Sequence, residues 1–134
     1  MPNPEEPKRR PLALVVDDDT MIRLLMRESL EQAGFEVMEA EDGAKAIERF
    51  TETLPEIVLM DVEMPKMDGF SACAALRRLP QGQDTPVILV TGHDDAETVN
   101  RAFDVGATDF LAKPINWANL GYRVQYILRA SRTN

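Results

Sequence analysis

Three uninterrupted apolar runs constrain the fold of this chain more than anything else in it: LALVV at 12–16, IVLM at 57–60 and VILV at 87–90. A strand solvated on one face alternates apolar and polar residues, so runs without alternation belong to strands covered on both faces, as in parallel α/β sheets. Two further runs, FEVMEA at 35–40 and TDFLA at 108–112, interleave polar residues as edge strands do. Amphipathic stretches separate all five. Strands are expected near 12–17, 35–39, 56–61, 86–91 and 108–112, and helices near 20–33, 43–53, 69–79, 95–105 and 116–131. Five β-then-α units make an α/β, doubly wound, five-stranded parallel sheet of flavodoxin-like order 2-1-3-4-5, with its switch point between strands one and three.

Residues 1–11 carry four prolines and no apolar periodicity, which reads as a flexible N-terminal arm ahead of one domain over 12–131. The first helix places Ile22, Leu25, Met26, Ser29, Leu30 and Ala33 on one face, with Gly34 where a C-terminal glycine cap belongs. At 134 residues, 44% hydrophobic and 28% charged, the chain has the balance of an ordinary globular domain. No apolar run reaches the ~20 residues of a membrane span. The single Cys73, set among small apolar residues, leaves no internal disulfide framework and reads as a buried structural thiol suited to a reducing cytoplasm. With one His and one Cys, a structural zinc site is excluded.

The net charge of −8 is unevenly spread. Residues 1–109 hold 23 acids and 11 bases, and the remainder four bases and no acid. So acidic a body argues against direct nucleic-acid binding by this domain. The basic tail is either a partner-binding face or Arg123, Arg129 and Arg132 complementing a helix dipole.

The chemistry sits where the strands stop. LALVV ends at Asp17-Asp18, IVLM at Asp61, VILV at Thr91 and TDFLA at Lys113. Ligands of an open parallel sheet bind outside the carboxyl ends of its strands, so this topology gathers three carboxylates, a hydroxyl and an ammonium. Asp19 is expected to cap the following helix. Carboxylates about 4 Å apart repel by roughly 4 kcal/mol at an effective dielectric of 20, which calls for a counter-charge: a hard cation or Lys113. Magnesium suits few carboxylates together with water and a phosphate oxygen. Asp61 is placed to be a phosphoryl-accepting nucleophile. Gly69 suits a tight turn, Gly92 a close backbone approach, and Lys113-Pro114 is a candidate cis bond.

VVDD, D-x-E-M-P-x-M-D-G, V-T-G and D-F-L-A-K-P, in that order and over about Leu12 to Leu128, resemble the response-regulator receiver domain of two-component signalling. The resemblance implies that Asp61 accepts a phosphoryl group from a sensor histidine kinase or phosphotransfer protein. It makes Asp17, Asp18, Asp61 and the Glu63 backbone carbonyl ligands of Mg2+, with Mn2+ as a substitute, and sets Thr91 and Lys113 on the phosphoryl oxygens. Thr91 and Phe110 occupy switch positions, while Glu63 and His93 stand where the family tunes dephosphorylation. Phenylalanine lacks the tyrosine hydroxyl also common at its position, so a switch there rests on packing. The output face would be helix four, strand five and helix five, with Val99, Ala102, Phe103 and Phe110 contributing.

In the last helix Trp117, Leu120, Val124, Ile127 and Leu128 form the core stripe, and Tyr122 and Tyr126 lie on another side, open to a partner. The stretch 114–132 is also similar to connections leading into diguanylate cyclase or phosphodiesterase modules. An output domain beyond helix 116–131 is therefore expected, or a partner protein, with a homodimer as a further possibility. The competing readings are a stand-alone receiver acting by protein contact, and a magnesium-dependent aspartyl-phosphate phosphatase. The latter wants Asp where this chain has Glu63. A flavin-nucleotide protein of the same fold is disfavoured because Asp17, Asp18 and Asp19 would repel its phosphate.

Overall fold

The structure, a computed structural model, describes residues 9–132. Positions 1–8 of the expected arm lie outside the described residues. Strands β1 (Leu12–Val16), β2 (Glu36–Ala40), β3 (Ile57–Asp61), β4 (Val87–Thr91) and β5 (Asp109–Ala112) alternate with helices α1 (Thr20–Gln32), α2 (Gly43–Thr53), α3 (Gly69–Arg78), α4 (Ala96–Asp104) and α5 (Trp117–Arg132). A 3-10 turn, Pro80–Gly82, precedes β4. All strands are parallel, in the order β2-β1-β3-β4-β5. The expected order is the observed one, and the element bounds differ from expectation by a residue or two.

The unbroken apolar runs fill two cores, because successive side chains of a strand point to opposite faces. Leu14, Val16, Val58, Met60 and Leu89 pack with Phe50 of α2, Phe70 and Leu76 of α3, and Ala102 of α4. Ala13, Val15, Leu59, Ile88 and Val90 pack with Met26 and Leu30 of α1 and with Leu120, Val124, Ile127 and Leu128 of α5. Of the expected α5 stripe, Trp117 is only partly buried; Tyr122 and Tyr126 are exposed. Strands β3 and β4 are buried along their whole length, whereas β2 and β5 keep half-exposed or exposed positions.

Asp residues start four of the five helices. Asp19 accepts from the N–H groups of Met21 and Ile22, Asp42 from Lys45, Asp68 from Ser71 and Asp95 from Thr98. Each satisfies a donor the helix cannot, and sits at the positive end of its dipole. Gly34 follows α1 at φ +96°, the left-handed conformation expected of its position. Gly121 lies where α5 crosses α1; a Cβ there would come 2.6 Å from that of Ala33. Cys73 is buried, with its thiol directed at the Val105 carbonyl 3.5 Å away.

One carboxylate ties the two ends of the described chain to the bottom of the sheet. Glu56, just before β3, accepts from Leu12 N–H at 2.9 Å and from Arg9 at 2.5 Å, and it pairs with Arg132 at the end of α5. Partial burial pushes its carboxyl up, but the Leu12 N–H, Arg9 and Arg132 outweigh that and hold it below the ordinary value. A depressed carboxyl stabilises the fold above its unfolded pKa and loses that contribution as pH falls through the folded one. Glu56→Gln should therefore lower the melting temperature at pH 7 by about 3 °C, equivalent to about 1 kcal/mol. Thermal melts of both proteins should converge as pH drops below about 4.

Candidate functional site

The register of the sheet decides which side chains meet. Val16 pairs with Met60, Asp61 with Val90 and Thr91 with Ala112, so the strands end level at one edge. Beyond that edge Asp17 N–H continues onto the Ala40 carbonyl, and Lys113 N–H onto the Thr91 carbonyl at 2.7 Å. The β1–α1 turn, the end of β3 and the segment after β5 are thereby brought together.

Asp17, Asp18 and Asp61 each offer a carboxylate oxygen, and the three oxygens lie within 4.8 Å of one another. Asp17 and Asp61 are buried and Asp18 is exposed. Lys113 Nζ stands 3.0 Å from Asp61 Oδ1 and 3.8 Å from Asp17 Oδ2, and the Lys113–Pro114 peptide is cis. Asp17 Oδ2 accepts no hydrogen bond, and the Lys113 ammonium is the one donor beside Asp61 Oδ1 among the described residues. Burial pushes Asp61 up to about 6, Lys113 pulling it down and Asp17 adding to the rise. Burial likewise raises Asp17, against the Asp19 N–H that binds its Oδ1 at 2.9 Å and against Lys113. Lys113 is itself held above its ordinary value: partial burial works against its charge, but Asp61 and Asp17 prevail.

Two buried carboxylate oxygens that share a single ammonium, beside a third carboxylate open to water, fit a hard cation that prefers oxygen ligands and keeps several waters. The donor set is all oxygen, and the single ammonium leaves the three carboxylates short of neutral. A divalent ion would balance that charge.

Thr91 completes the edge of the site. Its hydroxyl is buried, accepts from His93 N–H at 3.0 Å and donates to Glu63 Oε1 at 2.9 Å. His93 Nε2 lies 3.9 Å from the same Glu63 oxygen. The two positions singled out for tuning therefore meet at Thr91, a pairing that spacing along the chain does not show. Phe110 is half-buried and meets the exposed ring of Phe103 edge-on, with centroids 6.3 Å apart. On the neighbouring surface Arg101 of α4 lies 4.4 Å above the ring of Phe70 of α3.

Two glycines behave differently from their sequence reading. Gly69 serves a close approach in place of a turn conformation: a Cβ there would stand 2.4 Å from the Asp61 carbonyl oxygen. The first turn of α3 thus packs directly on the backbone of Asp61, and Gly69 N–H donates to Val62 O at 2.9 Å. Gly92, expected to allow close backbone approach, has nothing within 4 Å of where a Cβ would be.

Residues 13–125 match the response regulator receiver domain. The chain belongs to that family. Among its relatives are the DNA-binding dual master transcriptional regulator RpaA of Synechocystis, 36% identical over 89% of this chain, and the transcriptional regulatory protein PrrA of Mycobacterium leprae, 38% identical over 89%. Those alignments cover 49% and 50% of the relatives, so the chain spans about half the length of the curated proteins it matches. The chemotaxis response regulator CheY4 of Vibrio cholerae superposes with a TM-score of 0.84 at 33% identity, covering 89% of this chain and 99% of that one. A CheY-like receiver domain protein of Methanospirillum hungatei gives 0.86 at 25% identity, covering 93% and 98%. The protein is thus a receiver domain of two-component signalling. Such domains normally hold Mg2+ at an acidic cluster, and Asp17, Asp18 and Asp61 form an acidic cluster here. No described helix of this receiver is long and apolar enough to cross a membrane.

The raised carboxyl of Asp61 has a thermodynamic consequence. A group whose folded pKa is raised contributes stability below its unfolded pKa and loses it as pH rises through the folded value. For Asp61 that window runs from 3.8 to about 6. With divalent ions chelated, Asp61→Asn should melt several degrees above the wild type at pH 7.5. Repeated melts towards pH 4 should show the gain shrinking to nothing.

Proposed function

We propose that this receiver is switched by phosphorylation of Asp61 in a magnesium-dependent reaction, the donor being the phosphohistidine of a sensor histidine kinase or phosphotransfer protein. The observation that carries the reading is the cluster of Asp17, Asp18 and Asp61 carboxylates, two of them buried, with Lys113 as the ammonium that answers them. Asp17, Asp18, Asp61 and the Glu63 backbone carbonyl would hold Mg2+, or Mn2+ in its place. The ion's part is to neutralise charge on the carboxylates and the incoming phosphoryl oxygens.

The chain supplies the rest. Asp61 attacks phosphorus with a carboxylate oxygen; the histidine nitrogen leaves with its bond pair, and an aspartyl phosphate remains. Positioning and charge carry such a transfer, and the buried floor of the site keeps Asp61 from solvating elsewhere. Lys113, already drawn to Asp61, pairs with the phosphoryl oxygens as negative charge moves outward. Thr91 donates its hydroxyl to another of them, for which it must leave Glu63. Glu63 and His93, both exposed, line the approach of the water that later hydrolyses the acyl phosphate. Apart from accepting and losing its own phosphoryl group, the domain turns nothing over, and it acts as a signalling element rather than an enzyme.

The switch passes from Thr91 to Phe110 and the surface of α4, β5 and α5. Support for that route comes from the Phe103–Phe110 contact, which joins the two elements through half-exposed rings able to repack. In this reading residues 12–131 are the receiver and α5 leads towards an output domain or partner. The relatives' names favour transcriptional control as the output over a diguanylate cyclase or phosphodiesterase. The domain works in the cytoplasm, on proteins; homodimerisation through the switched surface is the alternative to a tethered output. A stand-alone receiver would use the same site.

Acetyl phosphate with Mg2+ should add one phosphoryl group, labile to hydroxylamine and absent from Asp61→Asn; labelling of Asp61→Asn would place the acceptor elsewhere. Lys113→Ala should accept the group while failing to shift α4 amide signals in NMR spectra. Glu63→Ala frees the Thr91 hydroxyl of a competing acceptor. It should raise the ratio of phosphorylated to free protein at fixed donor about fivefold, as a hydrogen bond worth about 1 kcal/mol requires.

A further inference from the structure

Asp17 is held at every polar atom except one. Its N–H donates to Ala40 O at 3.2 Å, its Oδ1 accepts Asp19 N–H at 2.9 Å, and its carbonyl oxygen accepts Arg23 Nη1 at 2.7 Å. Only Oδ2 is left without a hydrogen bond, 3.8 Å from Lys113 Nζ. The first two restraints come from main chain that any sequence would supply. The third comes from a side chain six residues on, reaching back from α1 to a carbonyl outside the helical ladder. That ladder begins at the Asp19 carbonyl, which takes Arg23 N–H at 2.9 Å.

The guanidinium is anchored in turn. Arg23 Nε donates to Glu39 Oε1 at 2.8 Å, and the other oxygen of Glu39 takes Arg27 Nη1 at 2.5 Å. Arg27 reaches Glu31 of its own helix at 3.2 Å. A line of charge-assisted hydrogen bonds therefore runs from α1 through β2 to the backbone of Asp17. The Arg23 side chain is only 16% exposed, so water competes little for it. A planar guanidinium suits the task, since its fork serves two acceptors at fixed angles where an ammonium on a flexible stem cannot.

The geometry points to Arg23 as a positioning residue of the cation site: anchored by Glu39, it fixes the Asp17 carbonyl so that Oδ2 faces the ion shared with Asp18 and Asp61. The inference rests on the magnesium-dependent reading above. Arg23 touches none of the three site carboxylates, only the Asp17 carbonyl oxygen; the side-chain cation beside the Asp17 and Asp61 carboxylates is Lys113. Removal of Arg23 lets the turn at 17–19 rotate, and an ion needing near-ideal octahedral geometry then loses a well-aimed ligand. Groups that orient a metal ligand typically contribute 10–100-fold to affinity.

The test is calorimetric titration of Mg2+ into the wild type, Arg23→Ala and Arg27→Ala, each checked for folding by a metal-free melt. Arg27→Ala breaks the outer ion pair with Glu39 and leaves the Asp17 carbonyl bonded. The expected result is an Mg2+ dissociation constant about tenfold higher for Arg23→Ala, an Arg27→Ala value within twofold of wild type, and near-normal acetyl phosphate labelling of Arg23→Ala at saturating Mg2+. A purely structural tie between α1 and β2 would lower the melting temperature and leave the dissociation constant alone. A shift of twofold or less in Arg23→Ala, or an equal shift in Arg27→Ala, overturns the proposal. If Arg23→Ala does not fold, Arg23→Lys replaces it under the same twofold criterion. A wild type that takes up no Mg2+ overturns the functional reading itself, whereas wild-type uptake that Arg23→Ala leaves unchanged overturns only the role of Arg23.

Discussion

The confinement of Asp17 and Asp61 away from water, with one ammonium to answer them, is the constraint on which everything else turns. Burial disfavours both charges, and the Asp17 carboxylate adds to the cost of ionising Asp61. Left to itself, such a pair would lower its energy by moving apart or by protonation. The sheet permits neither escape cheaply. Asp61 is the last residue of a fully buried strand, and Asp17 follows another, so their positions are set by ladders with large apolar cores on either side. The stability lost at the strand ends is offset by those cores. What remains at pH 7 is a demand for positive charge that Lys113 meets only in part and a divalent ion would complete.

The same rigidity explains several features that look unrelated. Gly69 brings α3 onto the Asp61 carbonyl, so the acidic strand end cannot retreat towards the next helix. Glu39, Arg23 and the Asp17 carbonyl prevent the neighbouring turn from swinging outward. Lys113 is bound at both ends, its N–H on the Thr91 carbonyl and its Nζ on Asp61. All of these braces except the Lys113 ammonium act on backbone. A site built this way can exchange a cation or a phosphoryl group without loss of the fold around it.

Much of this was legible in the sequence, and the reason is local. Unbroken apolar runs such as VILV state that both faces of a strand are covered, and the residue that ends each run is then placed by the topology alone. Asp17, Asp18, Asp61, Thr91 and Lys113 were found in this way, because strand ends converge whatever the loops do. The missed features depend on rotamers and on distances between residues far apart in sequence. Nothing in the spacing of Glu63 and Thr91 announces that one hydroxyl will bind the other's carboxylate across 28 positions. Glu56 reads as a polar residue before a strand, yet it joins Arg9 to Arg132. Gly69 was noticed for the wrong reason, since backbone freedom and steric clearance leave the same letter in the sequence. The one signal for Arg23 is its position three residues after the first residue of α1, with Glu39 the polar interruption in the β2 run.

The Thr91 hydroxyl shows how a local event would acquire a longer reach. It has two hydrogen-bond partners here, Glu63 as acceptor and the His93 N–H as donor. A phosphoryl oxygen near Asp61 offers more negative charge than a half-exposed carboxylate, so in the proposed function it replaces Glu63 as the acceptor of the Thr91 hydroxyl. Thr91 cannot make that change alone, because the same oxygen carries the His93 N–H at the entry to α4. Either that bond breaks or the β4–α4 loop follows the hydroxyl inward. A ligand shifts a conformational equilibrium only by the difference in its affinity for the two states. Here that difference is the contest between phosphoryl oxygen and Glu63 for one proton donor. In the proposed function the strength of the resting Thr91–Glu63 bond would therefore set how far α4 and the Phe103–Phe110 contact respond, and a carboxylate at position 63 would make the resting state harder to leave than a neutral side chain.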